Sequence, residues 1–311
     1  MKILITGSTG LVGSEAVKFF KEKGWEVVGI DANKRHQFFD TPIKEDYIHL
    51  DIRDKKQLDN LFVENSFDAI VHTAAQPSHD YSKDHVMEDF EINALGTLNL
   101  LEAAKYYAPK AVFVHCSTDK IYGMGMAPDQ RIPFTENTPI ISPLSPFGVS
   151  KLCADFYVQE YAKQGWLTTG IFRMGCITGK NHEGAEMHGF LAYLTKCIKE
   201  GKVYKVFGFN GTQIRDQIHA HDLVNAFYHF IQSPKSGEVY NMGGGKERAV
   251  SVLEAGEMIS TKLGLPFAYE MHEERFGDRQ WDIHDVEKFR THYPEWEYKY
   301  SLGDIIDDLC L

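Results

Sequence analysis

The chain has 311 residues, 43% of them hydrophobic and 25% charged, as in a globular protein long enough for one large domain or two small ones. Its formal net charge of −11, without a run of lysine or arginine, argues against partners such as nucleic acid or an anionic membrane surface. No apolar stretch is long enough to span a bilayer, and the five cysteines lack a Cys-x-x-Cys pair, so we expect reduced thiols in a cytoplasmic protein.

The first thirteen residues predict a phosphate-binding turn. An apolar run over Lys2–Thr6 is typical of a buried parallel strand, and a helix-like stretch over Ser14–Lys23 follows. Between them, Gly7 permits a tight turn, Gly10 lets a pyrophosphate approach the backbone, and Gly13 lets helix and strand pack closely. The cofactor-binding residues predicted here are Gly7, Thr9, Gly10, Leu11, Val12 and Gly13.

A second predicted strand, Glu26–Ile30, ends at Asp31. This carboxylate follows the turn by about twenty residues, the offset at which it accepts hydrogen bonds from the adenosine ribose. A carboxylate there repels a 2′-phosphate, which favours NAD over NADP. Arg35 keeps NADP open, because a nearby arginine accommodates that phosphate. The alternative is a doubly wound fold whose glycine turn binds nothing.

From Asp31 onward, strand and helix patterns alternate along the chain. Further strands are predicted over 47–50, 68–73, 111–116 and 167–172, and helices over 55–64, 84–107 and 147–163. Strands separated by helices make a parallel sheet covered on both faces. We therefore expect an α/β fold with a doubly wound parallel Rossmann sheet.

After Arg173 the pattern becomes less regular. Residues 175–189 are loop-like, 203–207 strand-like and 211–221 polar, whereas 190–200 and 222–231 are helical. The predicted organisation is an NAD-binding Rossmann domain over 1–173 and a smaller C-terminal α/β substrate domain over 174–311, with about 212–242 returning to the first domain.

Several motifs together resemble the extended short-chain dehydrogenase/reductase superfamily over essentially the whole chain. They are the glycine turn, Asp31, the segment Ser117-Thr118-Asp119-Lys120-Ile121-Tyr122-Gly123 and the helix with Lys151. Residues 211–222 resemble the superfamily's nucleotide-sugar signature, and 275–278 and 301–304 resemble its C-terminal pattern. Within the superfamily, residues 29–31, 35–39, 72–80, 172–173, 175–176 and 188–193 are most similar to the CDP-paratose (CDP-tyvelose) 2-epimerase group.

The resemblance implies an NAD-dependent nucleotide-sugar epimerase that acts at C2 of a CDP-linked sugar through a transient ketone. The further cofactor-binding residues that it implies are Asp51, Ile52, Thr73, Ala74, Ala75, Gln76, Ser117 and Lys151. The expected substrate-binding residues are His79, Cys176, His188, Arg215 and Arg275. The two arginines suit a pyrophosphate, since a guanidinium donates bidentate hydrogen bonds to phosphate oxygens.

One position departs from the superfamily's catalytic Tyr-x-x-x-Lys pattern. Phe147 stands four residues before Lys151, where the tyrosine belongs, and phenylalanine has no proton to exchange with a sugar hydroxyl. Three interpretations stay open. The chain is an engineered inactive variant, or it belongs to a branch with another base, or it binds without catalysing.

If Phe147 is native, another group must exchange the proton. Asp119 and Lys120 are the first candidates, because both leave the strand end beside Thr118, and His79 and Cys176 are weaker ones. A capped turn at Asp119 and a solvated Lys120 are equally compatible with the sequence. As in relatives, the Thr118 hydroxyl would bond the reacting oxygen and Lys151 would hold the nicotinamide ribose.

Other functions remain possible. A 4,6-dehydratase is disfavoured, since relatives with that chemistry carry an Asp-Glu pair where this chain has Asp119-Lys120. A decarboxylase, a reductase and a silent NAD or nucleotide-sugar binding protein stay open. No metal is expected, because packed histidines explain His182, His188, His219 and His221 better than a metal site does.

The resemblance also implies a homodimer, in which two copies of the helix at 84–107 and of the Phe147 helix form a four-helix bundle. Apolar positions on these helices support it or, alternatively, face the sheet. They are Phe90, Leu98, Tyr106, Cys153, Phe156 and Tyr157.

Overall fold

The computed structural model describes residues 1–32, 47–124, 131–180, 182, 189–275 and 278–311. Two predicted site residues, Arg35 and His188, lie outside these ranges. The chain divides into two compact units. The first comprises Met1–Ile121, Pro143–Arg173 and Leu223–Tyr240, and the second comprises Tyr122–Ser142, Met174–Asp222 and Asn241–Leu311.

The described part of the chain contains thirteen strands and eleven α-helices. The strands are β1 (Lys2–Thr6), β2 (Glu26–Asp31), β3 (Ile48–His49), β4 (Ala69–His72), β5 (Val112–Thr118), β6 (Thr168–Met174), β7 (Cys176–Thr178), β8 (Tyr204–Phe207), β9 (Ile214–His219), β10 (Glu238–Met242), β11 (Ala249–Ser251), β12 (Tyr269–His272) and β13 (Trp281–Asp282). The helices are α1 (Leu11–Glu22), α2 (Lys55–Glu64), α3 (His79–Asp84), α4 (Val86–Phe90), α5 (Gly96–Tyr107), α6 (Ser145–Lys163), α7 (Phe190–Lys199), α8 (Ala220–Gln232), α9 (Val252–Leu263), α10 (Glu287–His292) and α11 (Leu302–Cys310). Among the described residues, none of these helices has the length and apolar character needed to cross a membrane.

The first unit is built on a seven-stranded sheet in the order β10-β6-β5-β4-β1-β2-β3. Strand β1 pairs in parallel with β2 on one side and with β4 on the other, and the pairs β2–β3 and β4–β5 are also parallel. Strand order therefore reverses at β1, which is the place where doubly wound sheets bind ligands at their carboxyl ends. The predicted doubly wound parallel sheet is confirmed.

Apolar side chains bury the two faces of this sheet. Ile3, Leu4 and Ile5 of β1 are fully buried, as expected of a continuous apolar run in a central strand. Helix α2 begins and ends as predicted and buries Leu58, Leu61 and Phe62. Burial of one such side chain stabilises the fold by about 1.5–3 kcal/mol.

The single long helix predicted over 84–107 is wrong in detail. His79–Asp84 forms the separate helix α3, and a π-helical turn at Glu91–Leu95 separates α4 from α5. The π turn contains Asn93, whose side chain donates a hydrogen bond to the carbonyl oxygen of Gln76 at 3.1 Å. Helices with π turns frequently place such a residue at a functional site.

Two elements extend further toward the predicted site than the sequence indicated. Strand β5 continues through Ser117 and Thr118, two residues beyond its predicted end. Helix α6 begins at Ser145 rather than Phe147, with Pro146 in its first turn, where a missing N–H does no harm.

The second unit is centred on β9, which pairs in parallel with β7 and β13 and antiparallel with β11. Strands β8 and β12 form a separate parallel pair. The polar segment 211–221 therefore contains a strand, and the loop-like segment 175–189 contains β7. Residues 122–142, expected in the first domain, belong to the second unit, where Phe134 exchanges backbone hydrogen bonds with Ile283 and Asp285.

Candidate functional site

The glycine turn between β1 and α1 leaves no room for a side chain. Gly7 has a φ of +66°, in the left-handed region that favours glycine. A Cβ atom on Gly13 would lie 2.0 Å from the carbonyl oxygen of Gly7. Helix α1 begins after Gly10, and no side chain in the described ranges caps it. The N–H groups of its first turn can therefore bind an anion.

Asp31 is joined to this turn. One oxygen of its carboxylate accepts hydrogen bonds from the Thr9 backbone N–H at 3.0 Å and from the Thr9 hydroxyl at 2.8 Å. Ser8, in the same turn, is fully buried, and its hydroxyl has no hydrogen-bond partner among the described residues. Such a group costs about 1–3 kcal/mol unless a ligand satisfies it. The residues present thus fit a dinucleotide.

The segment after β4 is held against the end of β1. The Thr73 hydroxyl donates to the carbonyl oxygen of Thr6 at 2.7 Å, and the Ala74 N–H donates to the Thr6 hydroxyl at 3.2 Å. The predicted cofactor residues carried by this segment are Thr73, Ala74, Ala75 and Gln76. They stand at the carboxyl edge of the sheet, next to the glycine turn.

Asp51 and Ile52 follow β3 at the same edge of the sheet. The Asp51 carboxylate accepts from the Arg53 guanidinium at 3.0 Å through Nε and at 2.7 Å through Nη2. Ile52 is buried, and a Cβ on Gly96 would lie 2.7 Å from its side chain. An arginine that the sequence analysis did not single out therefore fixes the orientation of Asp51.

A buried hydrogen-bond network ties Gln76 to helix α6. The fully buried Asp89 carboxylate accepts from Gln76 at 2.7 Å, from Ser150 at 2.5 Å and from Asn93 at 3.1 Å. All three donors are neutral, and burial raises the pKa of Asp89. Asp89 and Ser150 could not be identified from the sequence, because a carboxylate on a helix face gives no sign of partners that come from distant segments.

Thr118, Asp119 and Lys120 form a cluster at the end of β5. The Lys120 ammonium lies 2.8 Å from one Asp119 oxygen, and the Thr118 hydroxyl donates to the other at 3.2 Å. Asp119 is only 2% exposed. The two side chains first considered as substitute bases are therefore paired with each other.

Lys151 lies in α6 and is buried. Its ammonium donates to the carbonyl oxygen of Cys116 at 2.6 Å, and burial lowers its pKa to about 8. The Ser117 hydroxyl donates to Asp155 at 2.7 Å, and Asp155 forms a buried bidentate ion pair with Arg173 at 3.0 Å for each bond. These contacts fix α6 on β5.

Phe147 is buried in the first turn of α6, and the ring of His79 packs against it with 5.5 Å between the centroids. Nδ1 of His79 lies 3.0 Å from the Ser145 hydroxyl. Burial, together with the positive charge of Lys120, lowers the pKa of His79 to about 4, so the imidazole is neutral at pH 7. His79 thus lies beside the position that lacks the tyrosine.

Three predicted substrate-binding residues belong to the second unit. Arg215 on β9 forms an ion pair with Asp278, and the Arg275 guanidinium lies 3.5 Å from the centroid of the Phe207 ring. Cys176 is half-buried on β7. Their contact with a pyrophosphate or a sugar stays a prediction, and the pairing of Arg215 with a carboxylate was not foreseen.

Three of the predicted histidines, His182, His219 and His221, lie among the described residues of the second unit. His219 Nε2 lies 3.1 Å from the Asp308 carboxylate, and its ring stacks on Tyr300 at 3.8 Å. His221 belongs to helix α8, so the two rings do not share one face of a strand. Nδ1 of His182 lies 3.4 Å from the Thr178 hydroxyl. The prediction that no metal is needed stays a prediction.

Known proteins share this fold and these motifs. A family model described as the NAD dependent epimerase/dehydratase family matches residues 3–243. The chain is 28% identical over 329 aligned residues to the CDP-paratose 2-epimerase of Salmonella typhi, with 98% of this chain and 96% of that protein covered.

Two solved structures are similar over nearly their whole length. The UDP-glucose 4-epimerase of Thermotoga maritima, solved with UDP-glucose, has a TM-score of 0.88 and 26% identity, with 99% of this chain and 97% of that chain covered. The dTDP-glucose 4,6-dehydratase of Bacillus anthracis, solved with NAD, has a TM-score of 0.84 and 26% identity, with 100% and 95% covered. The chain belongs to the NAD-dependent epimerase/dehydratase family of nucleotide-sugar enzymes, and its cofactor is NAD.

Proposed function

We propose that the chain is an epimerase that inverts C2 of a CDP-linked sugar. The observation that carries this proposal is the similarity to a CDP-paratose 2-epimerase along 98% of this chain and 96% of that relative. The Asp119-Lys120 pair supports it, because 4,6-dehydratases of this superfamily carry Asp-Glu there. Members of the family act on several nucleotide sugars, so the base and the carbon are the parts that need a test.

The first unit supplies a cofactor site in this proposal. NAD, when bound, accepts a hydride from the sugar carbon and later returns it. The uncapped start of α1 binds the pyrophosphate, Asp31 accepts from the adenosine ribose, and Lys151 donates to the nicotinamide ribose. The remaining residues proposed to line the cofactor are Asp51, Ile52, Thr73, Ala74, Ala75, Gln76 and Ser117.

The substrate roles rest on the chemistry of the side chains. With substrate bound, the Thr118 hydroxyl turns from Asp119 and donates to the reacting oxygen, which stabilises the charge that develops there. Arg215 and Arg275 bind the diphosphate, and Cys176 lines the sugar pocket. The Lys120 ammonium is paired with Asp119 at 2.8 Å, so these two charges at the strand end offset each other.

We further propose that Phe147 is the natural residue of a branch that uses another proton-exchanging group. Its ring is buried and packed against His79, and the chain retains the lysine and threonine of the superfamily pattern at positions 151 and 118. The rival proposal is a binding protein without turnover, and Phe147 is the one observation that favours it.

The test compares the natural chain with the Phe147→Tyr variant. Each is incubated in deuterated water with NAD and CDP-, UDP-, GDP- and dTDP-sugars, and the products are identified by NMR. We expect a C2-epimerised CDP-sugar without deuterium at C2, because a hydride held on the cofactor does not exchange with solvent. Deuterium at C2 would indicate proton abstraction from carbon and contradict the proposal. Tight binding without a product from either protein would favour the silent binding protein.

A homodimer and a cytoplasmic location complete the proposal. The exposed apolar side chains on α4, α5 and α6 support a helical interface, since Phe90, Tyr106, Phe156 and Tyr157 are each at least 43% exposed and do not face the sheet. Leu98, in contrast, packs against the core, and Cys153 is half-buried. The five free cysteines fit a reducing compartment.

A further inference from the structure

We propose that His79 takes the place of the missing tyrosine and exchanges the proton with the sugar hydroxyl. This inference rests on the proposed epimerase function and names the group that makes it possible with phenylalanine at position 147. It departs from the sequence analysis, which favoured Asp119 and Lys120 as the substitute base.

The first support is position. The His79 ring lies 5.5 Å, centroid to centroid, from the Phe147 ring, so the imidazole packs against the residue that replaces the tyrosine. His79 is the first residue of α3, and the Ser78 hydroxyl caps that helix by accepting from the Tyr81 N–H at 3.2 Å. The cap holds the start of the helix, and with it the imidazole, in one place.

The second support is a shared anchor between His79 and Phe147. The Ser82 hydroxyl donates to the carbonyl oxygen of His79 at 2.7 Å and accepts from the N–H of Phe147 at 3.2 Å. One buried hydroxyl therefore fixes the two backbones relative to each other. A general base must be held within hydrogen-bond reach of the proton that it takes, so this rigidity suits the role.

The third support is the state of the two ring nitrogens. Nδ1 lies 3.0 Å from the Ser145 hydroxyl, whereas Nε2 has no hydrogen-bond partner among the described residues. The tautomer in which Nδ1 donates to Ser145 leaves the lone pair of Nε2 available. Hydrogen bonding at one nitrogen commonly sets the tautomer in this way.

The charges around His79 keep the ring neutral. Burial and the cations Lys120 and Lys83 lower its pKa, whereas Asp119 and Asp80 raise it, and the result is about 4. At pH 7 the ring is therefore neutral and offers a lone pair to the proton that leaves the sugar hydroxyl, and the imidazolium that forms is acidic enough to return it. Asp119 and Lys120 are poorer candidates, because their charges are already paired with each other.

The C2–H bond breaks and its hydrogen leaves with both electrons for the nicotinamide of NAD. The electrons of the O–H bond form the second bond of the ketone, and the proton passes to Nε2 of His79. In the reverse direction the hydride returns to the other face of the carbon, and Nε2 gives its proton back to the oxygen.

The experiment uses the NAD-loaded full chain and three variants, namely His79→Gln, the double variant His79→Gln/Phe147→Tyr, and His85→Gln. His85 is an exposed histidine stacked on Tyr81 and serves as the matched control. We expect His79→Gln to slow formation of reduced NAD in a single turnover by about 10²–10⁴-fold with CDP-sugar affinity unchanged. The double variant should regain activity, and His85→Gln should match the natural chain.

The outcomes separate this inference from the proposed function. Wild-type rates in His79→Gln, or turnover by Phe147→Tyr alone and not by the natural chain, would overturn the role of His79. Turnover of another nucleotide sugar, with loss in His79→Gln, would correct the substrate and support His79.

If no sugar in the panel reacts with the natural chain or with Phe147→Tyr, the proposed function is wrong. The tautomer of His79 then serves as the test of this inference. Nitrogen-15 NMR of the NAD-loaded protein should then show the proton on Nδ1 and a bare Nε2. A proton on Nε2 would overturn the role of His79.

Discussion

The backbone N–H of Phe147 donates to the buried hydroxyl of Ser82 at 3.2 Å, so the first turn of α6 is fastened to helix α3. Ser82→Ala removes this bond and the one from the hydroxyl to the His79 carbonyl, and leaves a buried N–H without a partner. We expect the free energy of unfolding to fall by about 1–3 kcal/mol in a denaturant titration.

The matched control for this variant is Ser260→Ala, which removes an exposed hydroxyl that donates to the Leu265 carbonyl. It should change the free energy of unfolding by no more than about 0.5 kcal/mol. Equal effects of the two variants would mean that the bond from Ser82 to the Phe147 backbone does not stabilise the fold.

Asp31 should decide between NAD and NADP. Its carboxylate is held by Thr9 and carries the charge that repels a 2′-phosphate. We expect Asp31→Asn to weaken NAD binding by about 10–100-fold, since a charged hydrogen bond contributes about 1.5–3 kcal/mol, and to weaken NADP binding much less. Fluorescence titration with both cofactors measures this. Glu64→Gln, an exposed carboxylate on α2, should leave both affinities unchanged, and equal losses for NAD and NADP would refute the role of Asp31.

Lys151 should make cofactor binding depend on pH. Burial lowers its pKa to about 8, so the ammonium loses its proton as the pH rises past that value. If the ammonium donates to the nicotinamide ribose, NAD affinity should fall by about 10–100-fold above pH 8. Isothermal titration across this range measures it, and Lys151→Met should show the weak affinity at every pH. Lys163→Met, an exposed lysine at the end of the same helix, should retain the wild-type profile.

The buried histidines of β4 and β5 should make the fold acid-sensitive. Burial lowers the pKa of His72 to about 3 and that of His115 well below its ordinary value. The unfolded chain takes up these protons near pH 6.5 and the folded chain does not. Stability is therefore complete above pH 6.5 and is lost as the pH falls toward 3, by about 1.4 kcal/mol per pH unit for each histidine.

His115→Leu tests this pH dependence. Both ring nitrogens of His115 lack a hydrogen-bond partner among the described residues, so the variant also removes an uncompensated polar group. We expect it to raise the free energy of unfolding at pH 7 by about 1 kcal/mol. In acid, unfolding of the variant should take up one proton fewer, so its free energy of unfolding should fall less steeply as the pH is lowered. Denaturant titrations between pH 4 and 7 measure both. The exposed-residue variant His49→Gln should leave the slope as it is, and an unchanged slope in His115→Leu would contradict the assignment.

The proposed homodimer should depend on α6. Phe156 is 53% exposed on that helix, and a carboxylate there would be buried without a partner in a helical interface. We expect Phe156→Glu to be a monomer by sedimentation velocity at concentrations where the natural chain is a dimer. Val63→Glu, at a 68% exposed apolar position on α2, should remain a dimer. A monomeric natural chain would end this proposal.

The sheet and its glycine turn could be predicted because their signals are local. Continuous apolar runs mark β1 and β4. The glycines at 7, 10 and 13 stand where a Cβ atom would lie too close to backbone atoms of neighbouring residues. The strand β9 could not be predicted in the same way. Its Arg215, Asp216 and Gln217 are buried polar residues, and the pattern therefore resembles a solvated loop.

The network around Asp89 could not be predicted from the sequence for a different reason. Asp89 accepts hydrogen bonds from Gln76 and Ser150, which are separated from it by 13 and 61 residues along the chain. The π turn could not be predicted from the sequence either, since the five residues from Glu91 to Leu95 hardly disturb the helical pattern of apolar residues. Pairing across such distances depends on the completed fold. For the same reason, the contact between His79 and Phe147 emerged only in three dimensions.

The π turn at Glu91–Leu95 amounts to one residue inserted into a helix. The wider turn takes up that residue, so deleting it would restore regular geometry and leave α4 and α5 facing as they do now. The exposed Met87 and Phe90 of α4 would keep their direction, and Thr97 of α5 would keep its place beside His72. A lineage that gains or loses this residue can therefore change the helix locally, at Asn93, without turning either of its flanks.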